Sequence, residues 1–416
     1  MNLRSNRLAT AIALMALPLC AIGDDVEPGS GSSVLSFSGF GTVGVTHSSE
    51  DNADFPAGIF QSNGAGHTRS WSAEVDSLIA GQVSARITPE LSAVVQVIAE
   101  QNYNGTYTPH VEWANIKYQF TPDLSVRIGR VELPTFLFSD TRKVGYTLPW
   151  VRPPIEVYSL LPITASDGGG FSYRLNSGDL TNTTQGSYVQ SNTPEPDNRG
   201  TAMARNSINV SNTTEYKSLT FRVSYQHALL TISSLDGFLD TFRMFGPQGV
   251  AIADKYNSDD KPVVTEVIGA SYDPGRWFVI SEWAHARFNS FLGEDTGWYA
   301  SSGYRIGQFT PYVTYSQERA ASNSDPGLTL AGLSRPVAGF AAGLNAGLNA
   351  ILETIPTQHT VSLGARWDFA KNVDLKLQFD HMRIGADSDG VLINIQPGFR
   401  PGGTVNLFSA TVDFVF

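Results

Sequence analysis

The last ten residues of the chain alternate between an apolar face and a mainly polar face. The apolar face carries Phe408, Ala410, Val412, Phe414 and Phe416. The residues between them include Ser409, Thr411 and Asp413. Because successive side chains of a β-strand point to opposite faces, this period of two predicts a strand with one apolar and one polar side. A soluble domain rarely finishes on an aromatic residue that completes such a stripe, since terminal residues are commonly loosely held.

The same alternation recurs along the chain between regularly spaced turns, which are rich in Pro, Asp, Asn and Gly. Seven short connections are predicted around residues 88–90, 121–123, 176–179, 215–217, 273–275, 307–308 and 370–372. Eight longer segments lie between the hairpins: 48–68, 104–109, 133–166, 191–204, 228–262, 289–294, 321–356 and 384–404. Connections of these two kinds join sixteen strands in an even-numbered, antiparallel arrangement.

No apolar run beyond residue 23 reaches the roughly 18 residues that a transmembrane helix needs. Strands of a transmembrane barrel escape this criterion because lipid-facing and lumen-facing residues alternate along them. A soluble β-sandwich would have shorter strands and more even loops. The sequence therefore predicts an all-β fold, a transmembrane antiparallel β-barrel of about sixteen strands over residues 34–416.

The first 23 residues have the composition of a secretory signal peptide. Arg4 and Arg7 precede an apolar stretch that ends at Ala21-Ile22-Gly23, with small residues where a signal peptidase requires them. We expect cleavage after Gly23, which leaves residues 24–33 as a short N-terminal extension. Cleavage also removes Cys20, the single cysteine, so the exported chain is not stapled by disulfides.

The charge balance excludes nucleic acid as a partner. Removing Arg4 and Arg7 from the 28 basic residues leaves 26 against 39 acidic ones, a net charge of −13. Binding to phosphate backbones needs clustered Lys and Arg, which such an acidic chain lacks.

Aromatic residues cluster beside the short turns, where amphipathic rings would meet the lipid headgroups. They are Phe120, Tyr272, Trp277, Tyr304, Phe309, Trp367 and Phe369. A soluble sandwich would instead direct such rings from mid-strand into a core.

With these features the whole mature chain resembles the Gram-negative porin superfamily. The resemblance implies a water-filled channel in the bacterial outer membrane, surrounded by lipid and lipopolysaccharide, for passive diffusion of small hydrophilic solutes and ions. It also implies short periplasmic turns, long extracellular loops, and an assembly signal made by Phe408, Phe414 and Phe416 that the barrel-assembly machinery recognises. Such porins are often homotrimers. The second loop, 104–109, is very short, and since that loop latches onto a neighbour in trimeric members, the oligomeric state stays open.

The resemblance further implies that the third loop, residues 133–166, folds into the lumen and narrows it. Its prolines restrict the free loop, and its aromatic residues argue against disorder. The alternative is a flap over the barrel mouth. The charged residues expected at the constriction are Asp140, Arg142, Lys143, Arg152 and Glu156.

Strand parity places charged residues on the inner wall, because charges facing lipid are costly. The basic ones are Arg86, Lys117, Arg127, Arg222, Arg305, Arg366 and Lys376. The acidic ones are Glu74, Asp76, Glu318, Asp368, Asp374 and Asp380. One hypothesis is that Arg127 and Arg222 oppose Asp140 and Glu156 across the pore. Because the lining carries both signs, the sequence leaves the ion preference open.

Other functions remain as alternatives. A substrate-specific channel would show saturable flux, a barrel enzyme would need a nucleophile with its base, and a structural barrel or adhesin would not conduct. The histidines are scattered without a catalytic or metal-binding motif, so we expect neither catalysis, cofactor nor metal. The apolar stretches 228–252 and 331–352 predict short helices packed over the rim, or a partial plug.

Overall fold

The structure, a computed structural model, describes residues 34–321, 324–353 and 356–416. The predicted signal peptide 1–23 and the extension 24–33 lie outside the described residues. The barrel belongs to a compact unit formed by Leu35–Phe416.

Sixteen long antiparallel strands form one closed sheet. In chain order, the first eight are β1 (Leu35–Ser48), β2 (Leu78–Arg86), β3 (Leu91–Glu100), β4 (His110–Gln119), β5 (Leu124–Glu132), β6 (Ala165–Ser177), β7 (Leu180–Pro194) and β8 (Thr201–Tyr216). The second eight are β9 (Leu219–Ile232), β10 (Lys261–Tyr272), β11 (Trp277–Phe288), β12 (Glu294–Tyr304), β13 (Phe309–Ala320), β14 (Thr357–Ala370), β15 (Val373–Ile384) and β16 (Thr404–Val415). The predicted number of strands and the closed barrel are confirmed.

The barrel closes through β1, which pairs with two partners. Its first half, from Leu35 to Thr42, pairs with β2, and its second half, from Phe40 to Ser48, pairs with β16. The two-residue strand Trp71–Ser72 extends the sheet at the loop end of β1. Phe416 and Gly39 exchange two backbone hydrogen bonds at this seam, with N···O distances of 2.9 and 3.0 Å.

The alternation in the sequence corresponds to the two faces of the wall. On β11, for example, Phe278, Ile280 and Glu282 are buried inside, whereas Trp277 and Val279 are exposed outside. All seven aromatic residues predicted beside the short turns lie exposed on the outer face, where Phe309 stacks on Trp367 with ring centroids 5.5 Å apart.

A second row of exposed aromatic residues lies nearer the long loops. In this row Trp283 faces Trp298 across β11 and β12, and Phe379 faces Phe408 across β15 and β16. Two aromatic rows with an aliphatic band between them are the expected outer surface of a barrel in a bilayer.

The turns lie where the sequence predicts them, but one strand begins later than expected. The alternation from Val75 predicted strand from that residue onward, whereas β2 begins at Leu78. The physical reason is packing with distant segments, since Val75 joins a buried apolar cluster and Asp76 binds Arg152. Glu74, predicted on the wall, lies in the preceding loop and pairs with Arg69.

In the described part of the chain, four α-helices lie in the long connections: α1 (Ile155–Tyr158), α2 (Asp236–Arg243), α3 (Pro247–Tyr256) and α4 (Arg335–Glu353). The last three share an apolar cluster that includes Phe242, Ile252 and Leu348. These helices fall in the segments where the apolar stretches predicted them. Among the described residues, none of the helices combines the length and apolarity needed to cross a membrane.

Candidate channel constriction

The third loop, residues 133–164 between β5 and β6, packs against inward-facing side chains of strands far along the chain. Phe136, Leu148, Trp150 and Tyr158 are each at most 3% exposed, and they share a cluster with inward residues of β10 to β13, among them Tyr299. Trp150 Nε1 donates to Ser301 Oγ of β12 at 2.8 Å. The loop thus contributes a small hydrophobic core to the inside of the barrel.

Arg152 fixes the middle of the loop to the seam region. Its Nε and Nη2 donate to the two carboxylate oxygens of Asp76, each at 2.7 Å, and Nη1 lies 3.5 Å from Asp380. Nη2 also donates to Thr46 and Ser409. Arg152 is 8% exposed, so its charge is compensated by two carboxylates inside the protein. A bidentate pair of this kind fixes the orientation of the guanidinium as well as attracting it to the carboxylate.

Two buried glutamates make further attachments between loop and wall. Glu156, at the start of α1, accepts hydrogen bonds from Ser316 and Gln358, each at 2.8 Å, and from Thr360. Glu282 on β11 accepts from the Leu137 amide at 2.6 Å and from the Tyr158 hydroxyl at 2.7 Å. Each carboxylate therefore has several donors, which burial of a charge requires.

Basic residues of β14 and β15 bind backbone carbonyl groups of the third loop. Lys376 Nζ donates to the Gly145 carbonyl at 2.5 Å, and Arg366 Nη1 donates to those of Tyr146 and Leu148 at 2.5 and 3.1 Å. The acidic partners of these two cations are Asp368, Asp374 and Asp413. These three carboxylates of the inner wall are thus engaged where the loop is packed.

Open space inside the barrel lies on the side of β2 to β7, away from the strands against which the loop packs. A cavity of about 580 Å³ is bounded by the third loop, the first two outer loops and the loop ends of β2 to β7. Its charged lining residues are Asp76, Glu100, His110, Glu112, Arg130, Arg142, Lys143 and Arg152.

Lys143 connects the loop to the wall of this cavity. Its Nζ donates to Glu100 at 2.6 Å and to Glu112 at 3.1 Å. Burial disfavours the ammonium form, but the two carboxylates outweigh it and raise the pKa of Lys143. The same two carboxylates and His110 have ligand atoms within 4.8 Å of one another, a spacing that could hold a metal ion. The Lys143 ammonium already contacts both of these carboxylates, so the cluster has its own cation.

Arg142, which precedes Lys143 in the loop, has a different environment. It donates to the Leu161 carbonyl at 3.2 Å, and its guanidinium lies 5.3 Å from the centre of the Tyr158 ring. Burial lowers the pKa of Arg142. Among the described residues it makes no ion pair, so one cation of the cavity wall has no carboxylate in contact with it.

Below the cavity, four basic side chains project inward from the open side of the wall. Lys117 on β4 stands directly opposite Arg127 on β5, and Arg86 lies in the same register row across β3. Arg174 on β6 is near enough for its charge to act on Lys117. Arg127 pairs with Glu132 at 2.5 Å, and in the described part of the chain the other three make no ion pair. Like charges opposite each other destabilise a strand pair, so this basic row needs a reason other than stability.

Several predicted site residues lie elsewhere than expected. Arg127 and Arg222 do not face Asp140 and Glu156: Arg222 binds Thr213 and the Phe136 carbonyl, and Glu156 is buried against β13 and β14. Asp140 is exposed and has no ion-pair partner among the described residues. The hypothesis of a field between these four residues is therefore wrong, because loop packing takes up two of them.

Arg305 lies at the turn end rather than along the pore. It pairs with Asp273 of the neighbouring turn at 2.6 Å. The hydrogen bonds from Arg305 lower the pKa of the Asp273 carboxyl, although burial acts in the opposite direction.

Sequence reasoning missed Glu100, Glu112, Glu282 and Arg174. Glu282 follows the inward parity of its strand, which would have identified it. Glu112 has the outward parity of Ile116 and Tyr118 and is buried only because the pairing register of β4 with β3 shifts at this point. Parity could not have shown that Glu100 and Glu112 meet Lys143, since the loop path is set by tertiary packing.

No family model matches the chain, and no curated protein matches it. Solved structures do resemble it. OmpF of Salmonella typhi, in complex with daunomycin, has a TM-score of 0.54 and 13% identity, covering 92% of this chain and 97% of its own. The anion-selective porin of Comamonas acidovorans has a TM-score of 0.54 and 11% identity, covering 92% and 99%.

The outer membrane channel DcaP of Acinetobacter baumannii gives a TM-score of 0.54 at 9% identity, covering 92% of this chain and 97% of its own. Identities this low establish the fold and nothing finer. The chain therefore has the fold of the sixteen-stranded outer-membrane porins.

Proposed function

We propose that this protein is an outer-membrane channel for passive diffusion of small hydrophilic solutes and ions, with a preference for anions. The observation that carries the preference is the separation of charges inside the barrel. The basic row of Arg86, Lys117, Arg127 and Arg174 lines the open side below the cavity. Glu100 and Glu112, the carboxylates of the cavity wall above it, are already paired with Lys143. The sign of the lining charges sets ion preference in a pore.

The third loop supports the proposal as the narrowing element. Most of its anchors reach β8, β9 and β11 to β16, and on the cavity side Lys143 reaches β3 and β4. The open cross-section lies between the loop and β2 to β7. Arg142, Lys143, Arg152 and Glu156 hold or line this arrangement. We expect Arg142 and Lys143 to face passing solutes, and Arg152 and Glu156 to position the loop.

The test is planar-bilayer conductance of the purified protein, with the reversal potential measured across a salt gradient. Open channels whose reversal potential indicates anion preference would support the proposal. Channels that prefer cations would contradict the charge argument, and a folded barrel without conductance would contradict the channel itself.

A substrate-specific channel is the second candidate, and Arg142 favours it. A guanidinium without a carboxylate partner in a cavity of about 580 Å³ could hold an anionic solute for part of its passage. Flux that saturates with concentration, and that loses saturation in Arg142→Met, would support this candidate. Linear flux in both proteins would support the general channel.

The location and partners belong to the same proposal. We expect export by the 1–23 signal peptide, insertion by the barrel-assembly machinery, and an outer leaflet of lipopolysaccharide around the wall. A tag inserted in residues 195–200 should be accessible on intact cells, and one at Pro122 should not.

The oligomeric state is a separate question. The second loop, which would latch onto a neighbour in a trimer, contacts its own chain: Tyr107 OH donates to the Glu74 carbonyl at 3.3 Å. Mass measurement in detergent decides between monomer and homotrimer.

A further inference from the structure

On the outer face of the barrel, Arg319, His359 and Arg383 lie at the loop end of β13 to β15, and His381, which contacts the Asn406 side chain, lies one outward position below Arg383. Arg319 and Arg383 are exposed, and His359 is half-buried, all on the outward-facing side of their strands. They lie beyond the second aromatic row: Arg319 follows the outward Tyr315 by two outward positions, and Arg383 follows Phe379 in the same way. Aromatic rows mark the headgroup level of a bilayer, so these cations stand at the height of polar lipid groups.

The strand register brings the three side chains together. His359 stands directly opposite Arg383 across β14 and β15. Arg319 stands opposite Thr357, the next outward position on β14, which makes it the diagonal neighbour of His359. Directly opposed residues are about 5 Å apart at Cβ and diagonal ones about 7–8 Å, so one small anion can reach all three.

No protein group neutralises the two arginines. In the part of the chain that the structure describes, neither Arg319 nor Arg383 makes an ion pair or a side-chain hydrogen bond. His359 contacts the Tyr315 ring, with centroids 6.2 Å apart. Within the described strands β11 to β15, the acidic side chain on the outward face is Glu294, which stands opposite a third arginine, Arg287. By contrast, Arg205 at the rim of β8 is paired with Asp260 at 2.5 Å.

Unpaired cations at the edge of a bilayer are stabilised by anionic lipid headgroups. Arginine suits phosphate especially, because its planar group makes two parallel hydrogen bonds to one phosphate. The chain has a formal net charge of −11, yet at this place three adjacent basic side chains have no carboxylate partner.

We propose that Arg319, His359 and Arg383 form a binding site for a phosphate group of an outer-leaflet lipid. The site rests on the proposed outer-membrane location but not on conduction, since it lies on the outside of the wall. The lipid's acyl chains would lie along the aliphatic and aromatic band below the three residues, which a free phosphate ion cannot use.

The test measures binding of lipid A carrying both phosphates to the purified barrel in detergent, by native mass spectrometry. Each arginine near the membrane surface attracts an anionic lipid headgroup. Loss of both arginines should therefore weaken lipid A binding about 30-fold. We therefore expect Arg319→Gln with Arg383→Gln to weaken lipid A binding by about that factor, and the corresponding Lys pair to retain most of it. The matched control is Arg276→Gln with Lys371→Gln, two exposed cations at the turn end, which should bind like the wild type.

Two further arms identify the ligand. Lipid A from which the phosphates have been removed should bind the wild type as weakly as the double variant binds intact lipid A. Inorganic phosphate at millimolar concentration should not displace lipid A. Equal binding by wild type and double variant, or displacement by free phosphate, would overturn the proposal. Unchanged conductance in the double variant is expected, so a barrel that binds lipid A but does not conduct would contradict the proposed channel alone.

Discussion

Replacing Lys117 with Glu tests the charge layout of the lumen. Lys117 faces Arg127 directly, so Lys117→Glu turns two opposed cations into an opposite-charge pair and should not impair folding. The variant changes the lining by two unit charges without altering the third loop. Lys371→Glu, which makes the same charge change in an exposed turn, is the matched control.

The size of the effect follows from Coulomb's law with screening. One unit charge about 10 Å from a passing ion contributes ~0.4 kcal/mol in water, which salt at 0.1 M reduces to ~0.15 kcal/mol. Two unit charges therefore disfavour an anion by ~0.3 kcal/mol and favour a cation by the same amount. The combined ~0.6 kcal/mol corresponds to about a threefold fall in the anion-to-cation permeability ratio.

The assay is the reversal potential across a salt gradient in a planar bilayer, repeated at high ionic strength. At about 1 M salt the screening length falls to roughly 3 Å, so the difference between Lys117→Glu and wild type should nearly vanish. An unchanged permeability ratio at 0.1 M in a folded, conducting variant would refute the assignment of Lys117 to the ion path. An equal shift in Lys371→Glu would show that the effect comes from surface charge.

Three further predictions concern the loop and the seam. Shortening residues 135–160 should raise single-channel conductance because water replaces the packed loop; unchanged conductance would place the narrowest section elsewhere. Arg152→Met should destabilise the folded barrel by about 3–5 kcal/mol in denaturant unfolding, since Asp76 and Asp380 lose a buried cation, whereas Arg142→Met, which breaks no ion pair, should cost much less. Phe416→Asp should reduce insertion in cells, because it places a charge in the aromatic row beside Phe414; a normal yield of folded protein would argue against an assembly role.

The strands could be predicted because their determinants are local. Alternation and turn residues fix which residues face lipid, and lipid tolerates few exceptions to that rule. The same logic assigns Phe408, Phe414 and Phe416 to the lipid-facing stripe and Lys117, Arg127 and Arg366 to the lumen.

The contacts of the third loop could not be predicted in this way. Parity gives the face of a side chain but neither its height nor its partner across the lumen. Arg152 reaches Asp76, and Lys143 reaches Glu100 and Glu112, through a loop path determined by the packing of Trp150 and Tyr158. For the same reason Val75 and Asp76 leave the strand that their alternation predicts.

The attachment of the third loop to late strands restricts the order of assembly. Trp150 binds Ser301, and Thr42 of β1 hydrogen-bonds Asp413 of β16, a partner 371 residues away. Contacts between such distant residues form slowly, because a long chain segment must be ordered first. The third loop contacts side chains of β10 to β13, so its packing is complete only when these later strands are in place. Packing of the loop and closure of the seam therefore both wait for the last strands, and the loop interior should be among the last parts of the barrel to become native.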